Sequence, residues 1–214
     1  MNHSGIIAKE GLPFIVFLAV LTLVSCVFAG LNAWVLFLLL LTLFVVWFFR
    51  NPERHIAEHP RQIVSPADGK VIRIEAVGRE DRPGTTFLKI CIFMNVFNVH
   101  INRVPFSGQI KEIRYHAGQF LSANLDKASA LNERNTVVIG LADDRELIAV
   151  QIAGLIARRI VCWLKEGMQV ERGQRLGLIR FGSRVELFLP ADTRLLVQLG
   201  DKVKAGETPI GELS

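Results

Sequence analysis

The sequence predicts a mostly β protein, a barrel-sandwich of hairpins, preceded by an N-terminal hydrophobic α-helical anchor. Three observations predict it. Residues 11–49 contain no charged side chain. After Arg50-Asn51-Pro52 the composition changes abruptly, and short apolar alternations punctuated by glycine and proline take over. Two pairs of turn segments then repeat weakly within that second part. The expected division is an anchor over residues 1–54 and a β domain over residues 55–214.

The anchor accounts for the positive mean hydropathy of +0.35. A helix rises about 1.5 Å per residue, so roughly 20 residues cross a bilayer core. The uncharged run divides near Gly30-Leu31-Asn32 into residues 12–29 and 31–49, each near that length. Two helices joined by a tight turn are the simplest reading; one long tilted helix, or a shallow hairpin that does not fully cross, are the alternatives. A cleaved signal peptide fits poorly, because no small-residue cleavage site leads into soluble sequence. Lys9 precedes the run and Arg50, Arg54 and Arg61 follow it. Basic flanks stay cytoplasmic, so the expectation is a cell (inner) membrane protein with its β domain on the cytoplasmic side. Trp47, Phe48 and Phe49 stand where an interfacial aromatic belt belongs.

In the second part, strand patterns are expected at 69–74, 86–93, 108–113, 136–140, 147–153, 160–164, 175–181 and 185–189. The interval 120–134 lacks alternation and reads as a loop with one short helix. Ser65-Pro66-Ala67-Asp68-Gly69 is echoed by Val104-Pro105-Phe106-Ser107-Gly108, and residues 167–173 are echoed by 200–206, both bounded by glycine. Such turns require positive φ, which glycine supplies. They resemble the turns of biotinyl- and lipoyl-carrier domains, which implies pseudo-symmetric halves. The lysine that carriers modify is absent here.

The net charge is +5 and the pI about 9.4. The basic residues are scattered, without dense runs or interleaved aromatics, so nucleic acid is not an expected partner. A basic face against anionic lipid suits a chain with an anchor. Cys26, Cys91 and Cys162 form no C-x-x-C pair, so neither zinc nor a disulfide framework is expected, and they read as small buried hydrophobes in a reducing compartment.

Three segments could carry chemistry. Asp68 sits in a Pro-Ala-Asp-Gly turn, His100 in Asn98-Val99-His100-Ile101-Asn102-Arg103, and Ser183 in Arg180-Phe181-Gly182-Ser183-Arg184. Taken singly they read as a turn residue, a structural histidine and a bulge. Together with 97–108, Tyr115-His116-Ala117-Gly118 and Leu131-Asn132-Glu133-Arg134, in this order and spacing, they resemble the phosphatidylserine decarboxylase family, most closely its short membrane-associated branch.

That resemblance implies cleavage between Gly182 and Ser183. Ser183 Oγ attacks the Gly182 carbonyl, with His100 as base and Asp68 as its orienting carboxylate. The ester eliminates, and position 183 becomes a pyruvoyl group, the covalent cofactor, with no metal required. The large and small chains stay associated. The pyruvoyl carbonyl forms a Schiff base with an anionic phospholipid's serine head group, converting phosphatidylserine to phosphatidylethanolamine and carbon dioxide. An ether-linked analogue is an alternative substrate, and a membrane-tethered biotinyl-like carrier or adaptor is the non-enzymatic alternative. Longer members have Leu-Gly-Ser-Thr at the cut and a second histidine where this chain has Arg103, so either His100 serves both cleavage and turnover or His116 shares the work. Arg103, Arg180 and Arg184 are candidates for the lipid phosphate.

Overall fold

A computed structural model describes residues 5–56, 59–78, 86–121, 131–154, 159–180 and 182–214. The short helix expected within 120–134 falls mostly outside them. The chain divides into two compact units, residues 1–53 and 54–214.

The first unit is a helical hairpin, α1 (Leu12–Ala29) and α2 (Ala33–Phe48). The turn is made by two residues. Gly30 takes φ +64°, and Asn32 caps α2 by accepting from Val35 N at 3.0 Å while its Nδ2 donates to Ala29 O. Thr22 of α1 and Thr42 of α2 hydrogen-bond across at 3.2 Å. Each hydroxyl is also bonded to a carbonyl of its own helix, Leu18 O and Leu38 O. The open end is closed by backbone pairing: Ala8 N donates to Phe49 O and Asn51 N to Ile6 O. Gly11 has no room for a side chain, since a Cβ would lie 2.3 Å from Phe49 Cγ. Among the described residues one helix, Lys9–Ala29, is long and apolar enough to cross a membrane, and α2 is shorter.

The second unit contains β1 (Gln62–Val64), β2 (Gly69–Gly78), β3 (Thr86–Met94), β4 (Ile101–Arg103), β5 (Gly108–His116), β6 (Arg134–Gly140) and β7 (Glu146–Ala153). These are followed by β8 (Ile160–Cys162), β9 (Gln169–Val170), β10 (Arg175–Ile179), β11 (Ser183–Pro190), β12 (Arg194–Leu195), β13 (Lys202–Val203) and β14 (Pro209–Glu212). Eight of them form a curled half-barrel in the order β13-β2-β3-β11-β7-β6-β5-β9. Two small sheets, β1-β14-β12 and β4-β10-β8, complete the fold.

The repeats explain this plan. β13 pairs with Gly69 and Lys70 at one edge of the large sheet, and β9 pairs with Gly108 and Gln109 at the other. Each repeated segment thus binds the partner that its counterpart's echo binds. Gly167, Gly173, Gly200 and Gly206 all have φ between +76° and +97°, as the turns require. Gly69 and Gly108 are needed for close approach, because a Cβ there would meet Phe93 O at 2.2 Å and Gly140 O at 2.3 Å. The short strands β1, β4, β9 and β12 to β14 were not expected from sequence, since two to four residues are too few to show alternation.

β11 lies between β3 and β7, antiparallel to both. Val185, Leu187 and Leu189 point into the main core. Arg184, Glu186 and Phe188 point to the other face, beside Phe87, Ile148 and Val150. There Glu186 is paired with Arg184 at 3.0 Å and Lys89 at 3.3 Å, and it lies 3.7 Å from Cys91 Sγ. Burial, reinforced by Glu186, pushes the Cys91 thiol up to about 12. Thiolate is the reactive form. Cys91 should therefore resist iodoacetamide at pH 8 in the folded protein and react only after denaturation, as peptide mass spectrometry would show; rapid native labelling would contradict its burial beside Glu186.

Candidate functional site

Ser183 is the first residue of β11 and is fully buried. Its backbone is fixed on both sides, opposite Met94 of β3 and Ala153 of β7. Its hydroxyl donates to Met94 Sδ at 3.4 Å, a weak acceptor that leaves the oxygen lone pairs available. Gly182, just outside the strand, takes φ +56°, a conformation that costs other residues roughly 1–2 kcal/mol. A Cβ there would have nothing within 4 Å, so the constraint is backbone conformation and not space. Phe181 lies outside the described residues.

His100 reaches this step from the residue before β4 and is also fully buried. The Gly182 N–H donates to its Nε2 at 3.3 Å. Nε2 therefore carries the lone pair and Nδ1 the proton, which is directed at Asn98 O, 3.0 Å away. The accepting nitrogen of the imidazole thus lies one peptide from Ser183. Ile179 N donates to His100 O at 3.3 Å, so β10, the strand leading to Gly182, also fixes the histidine backbone.

Asp68 is placed differently from the expectation. Its carboxylate accepts from Arg54 Nη2 at 3.0 and 2.8 Å and from Ala205 N at 2.8 Å, while Nδ1 of His100 faces Asn98 O. The orienting contact on the imidazole is thus a backbone carbonyl. The reason lies in the repeat: Ser107, the counterpart of Asp68, accepts from Arg172 N at 2.9 Å, the counterpart of Ala205 N. Asp68 occupies a turn-capping position and adds an ion pair to it. The link to His100 runs through the chain, since Pro66 O accepts from Arg103 N at the end of β4.

The other candidates separate. His116 is exposed, three strands from β11 in the register His116–Arg134–Ile152–Arg184, or about 14 Å at ~4.8 Å per strand, and on the face away from Ser183. It does not share the Ser183 site. Arg184 is on that same far face, paired with Glu186. Arg103 donates to Gly173 O at 2.7 Å. Arg180 remains two residues from Gly182, its N–H bonded to Arg159 O.

Sequence reasoning did not single out Gln151 and Asn135, and named Asn132 only as part of a matched motif. Gln151 and Asn135 share the core face with Ser183, and Gln151 bonds Asn102 at 2.9 Å and Asn135 at 3.0 Å. Asn132 Nδ2 donates to Ala153 O, next to Ser183 in the register. The available signal was polar side chains inside apolar strands, which burial makes costly unless satisfied.

The fold and site define a β protein with a buried serine and a buried histidine around a glycine-serine peptide at a strand start. A family profile described as phosphatidylserine decarboxylase matches residues 41–211. A phosphatidylserine decarboxylase proenzyme of Syntrophus aciditrophicus is 54% identical over 212 residues, 99% of each chain. Proenzymes so named from Desulfotalea psychrophila and Burkholderia vietnamiensis are each 48% identical, over 97% and 100% of this chain and 96% and 99% of theirs. The chain belongs to the phosphatidylserine decarboxylase family.

The site's electrostatics give one measurable outcome. Removing one member of a buried ion pair typically costs about 3–5 kcal/mol, against roughly 1 kcal/mol for a turn cap. Asp68→Ala should lower thermal stability strongly, and Asp68→Ser, which keeps the cap as Ser107 does, should not recover it. Calorimetry of the detergent-solubilised chain would read the loss, with Arg54 still paired to Glu207 at 3.4 Å.

Proposed function

We propose that the chain decarboxylates phosphatidylserine to phosphatidylethanolamine, using a pyruvoyl carbonyl made from its own Ser183 by cleavage after Gly182. The observation that carries this reading is the buried Ser183 preceded by Gly182 at positive φ, with His100 Nε2 against the Gly182 N–H.

His100 Nε2 takes the Ser183 hydroxyl proton. Oγ bonds to the Gly182 carbonyl carbon, the C–N bond to Ser183 breaks, and the amide becomes an ester. Loss of the Ser183 Cα proton expels the Gly182 carboxylate, and water replaces the nitrogen, releasing ammonia. The residues present fit the product: the pyruvoyl unit is smaller than the serine it replaces, and Gly182 has open space beside it. That group supplies an electron sink for the carboxylate lost from the head group. His100 is proposed to hold the proton returned to the substrate carbon, and Arg180, two residues from Gly182, is proposed to meet the phosphate. Asp68 is proposed to act in cleavage by fixing the 65–70 turn that supports β4 and His100.

The two products would stay together for a structural reason. The small chain, residues 183–214, would carry β11, paired on both sides in the middle of the sheet, and β12 to β14. Intact-mass measurement should find this 32-residue fragment with a carbonyl at its N-terminus. Ser183→Ala should stay whole; His100→Ala and Asp68→Ala should accumulate uncut chain, and their combination should be little slower than the worse single variant. An intact wild-type chain with unmodified Ser183 in active membranes would refute the reading, and normal maturation of His100→Ala would remove its base.

The anchor is proposed to hold the chain in the inner membrane with the β domain in the cytoplasm. Lys9 and Arg50 flank the helical hairpin, and Arg50 stacks on Trp47 at 3.8 Å, an arrangement suited to an interface. Alkaline carbonate should leave the full chain in the membrane fraction, while a version starting near Pro52 should appear largely in the soluble fraction. Complete extraction of the full chain would reduce the hairpin to a peripheral attachment.

A further inference from the structure

We propose that the side-chain amide of Asn102 binds and polarises the ketone oxygen of residue 183 in the processed enzyme, an inference that rests on the proposed conversion of Ser183. Three carboxamides form a directed chain in the core. Asn135 Nδ2 donates to Gln151 Oε1 at 3.0 Å, and Gln151 Nε2 donates to Asn102 Oδ1 at 2.9 Å. A carboxamide gives through nitrogen and receives through oxygen, so the orientation of one sets the next, and the chain ends in a donor. That donor, Asn102 Nδ2, points at Met94 Sδ, 3.5 Å away. The Ser183 hydroxyl donates to the same sulfur at 3.4 Å. Both residues are fully buried, as is Met94. Two donors therefore converge on one thioether, a poor acceptor, in a place where burial normally demands good partners.

Conversion of Ser183 changes that balance. Serine offers a hydroxyl donor, whereas the ketone that replaces it only accepts. Residue 183 would then begin its chain, free to turn about its Cα–C bond and bring the oxygen toward the sulfur. A ketone oxygen is a better acceptor than a thioether, so the Asn102 amide gains its missing partner. The bond draws electron density from the ketone carbon, favouring attack by the substrate amine, and strengthens as charge develops on oxygen. The aligned amides behind Asn102 polarise its N–H further.

The test uses full-length protein labelled with [2-13C]serine, followed by difference infrared spectroscopy of the ketone band. Asn102→Leu and Asn102→Val each remove the donor together with the acceptor for Gln151, and neither can regain a donor by protonation. Both variants should mature to two chains. Their ketone band should move to higher frequency, reaction with phenylhydrazine should slow, and kcat should fall about tenfold or more. Met94→Leu, a shape-conserving change that leaves the amide in place, should keep the wild-type band. Unshifted bands in both Asn102 variants would overturn the proposal. So would an equal shift in Met94→Leu, which would assign the effect to packing, or uncut chain in both Asn102 variants, which would assign the residue to the fold or to cleavage. An uncut wild-type chain is a separate result, read by mass, and would count against the processing of Ser183 itself.

Discussion

The structure depends on β11 being paired along both edges, with β3 and with β7, from its first residue onward. A strand in that position is buried on both faces, so each of its residues must be satisfied by the protein and not by water. Val185, Leu187 and Leu189 meet this by packing, and Arg184 and Glu186 meet it by pairing. Ser183 meets it with a sulfur contact that an ordinary core would replace with something better. The residue before it is free of the ladder and has φ +56°. The chain thus passes within one peptide bond from an open position, in a conformation that glycine adopts without strain, to a rigid one. The peptide between Gly182 and Ser183 joins these two environments.

Strong and weak interactions are distributed accordingly. The ion pairs Arg54–Asp68 and Arg184–Glu186 lie at the turn beside β13 and on the far face of the sheet. Around Ser183 the contacts are a hydroxyl on a thioether and an amide N–H on an imidazole nitrogen at 3.3 Å. A net hydrogen bond is worth about 0.5–1.5 kcal/mol, and contacts to charged groups more. Moving the groups around Ser183 costs less than moving those that hold the scaffold. This arrangement lets a buried serine and a buried histidine change partners without loosening the sheet.

Much of this was legible in the sequence because the relevant signals are local. The strand patterns at 69–74, 86–93 and 147–153 lie within β2, β3 and β7, since each alternates over five or more residues. The hydrophobic run splits at Gly30-Leu31-Asn32, where a positive φ and an asparagine cap are both required. Ser183 and His100 could be named, and the structure brings them to adjacent peptides. What could not be read was which atom faces which. Asp68 looked like the partner of His100 because the order of residues suits a triad, but the partner of Nδ1 is a backbone carbonyl, which leaves no trace in residue types. Gln151 and Asn135 were invisible for a related reason: in a strand pattern a single amide reads as an interruption, and only the register places it beside Ser183.

The internal repeat shows how such a site can be built on a scaffold that does not require it. Offset by 39 residues, β1 corresponds to β4, and Arg61 then occupies the place of His100. Leu213 N donates to Arg61 O just as Ile179 N donates to His100 O. The same comparison sets Asp68 against Ser107, each capping a turn bounded by a positive-φ glycine. In one half the backbone hydrogen bond therefore holds an arginine, and in the other it holds an imidazole aimed at Gly182. The backbone geometry of the site belongs to the fold as a whole, because both halves possess it. The two halves differ at a few side chains: an imidazole where the other half has a guanidinium, and a Gly-Ser step following β10. The scaffold that buries and orients the pair is already secured by the repeat, so residue identity at these positions remains available for reactivity.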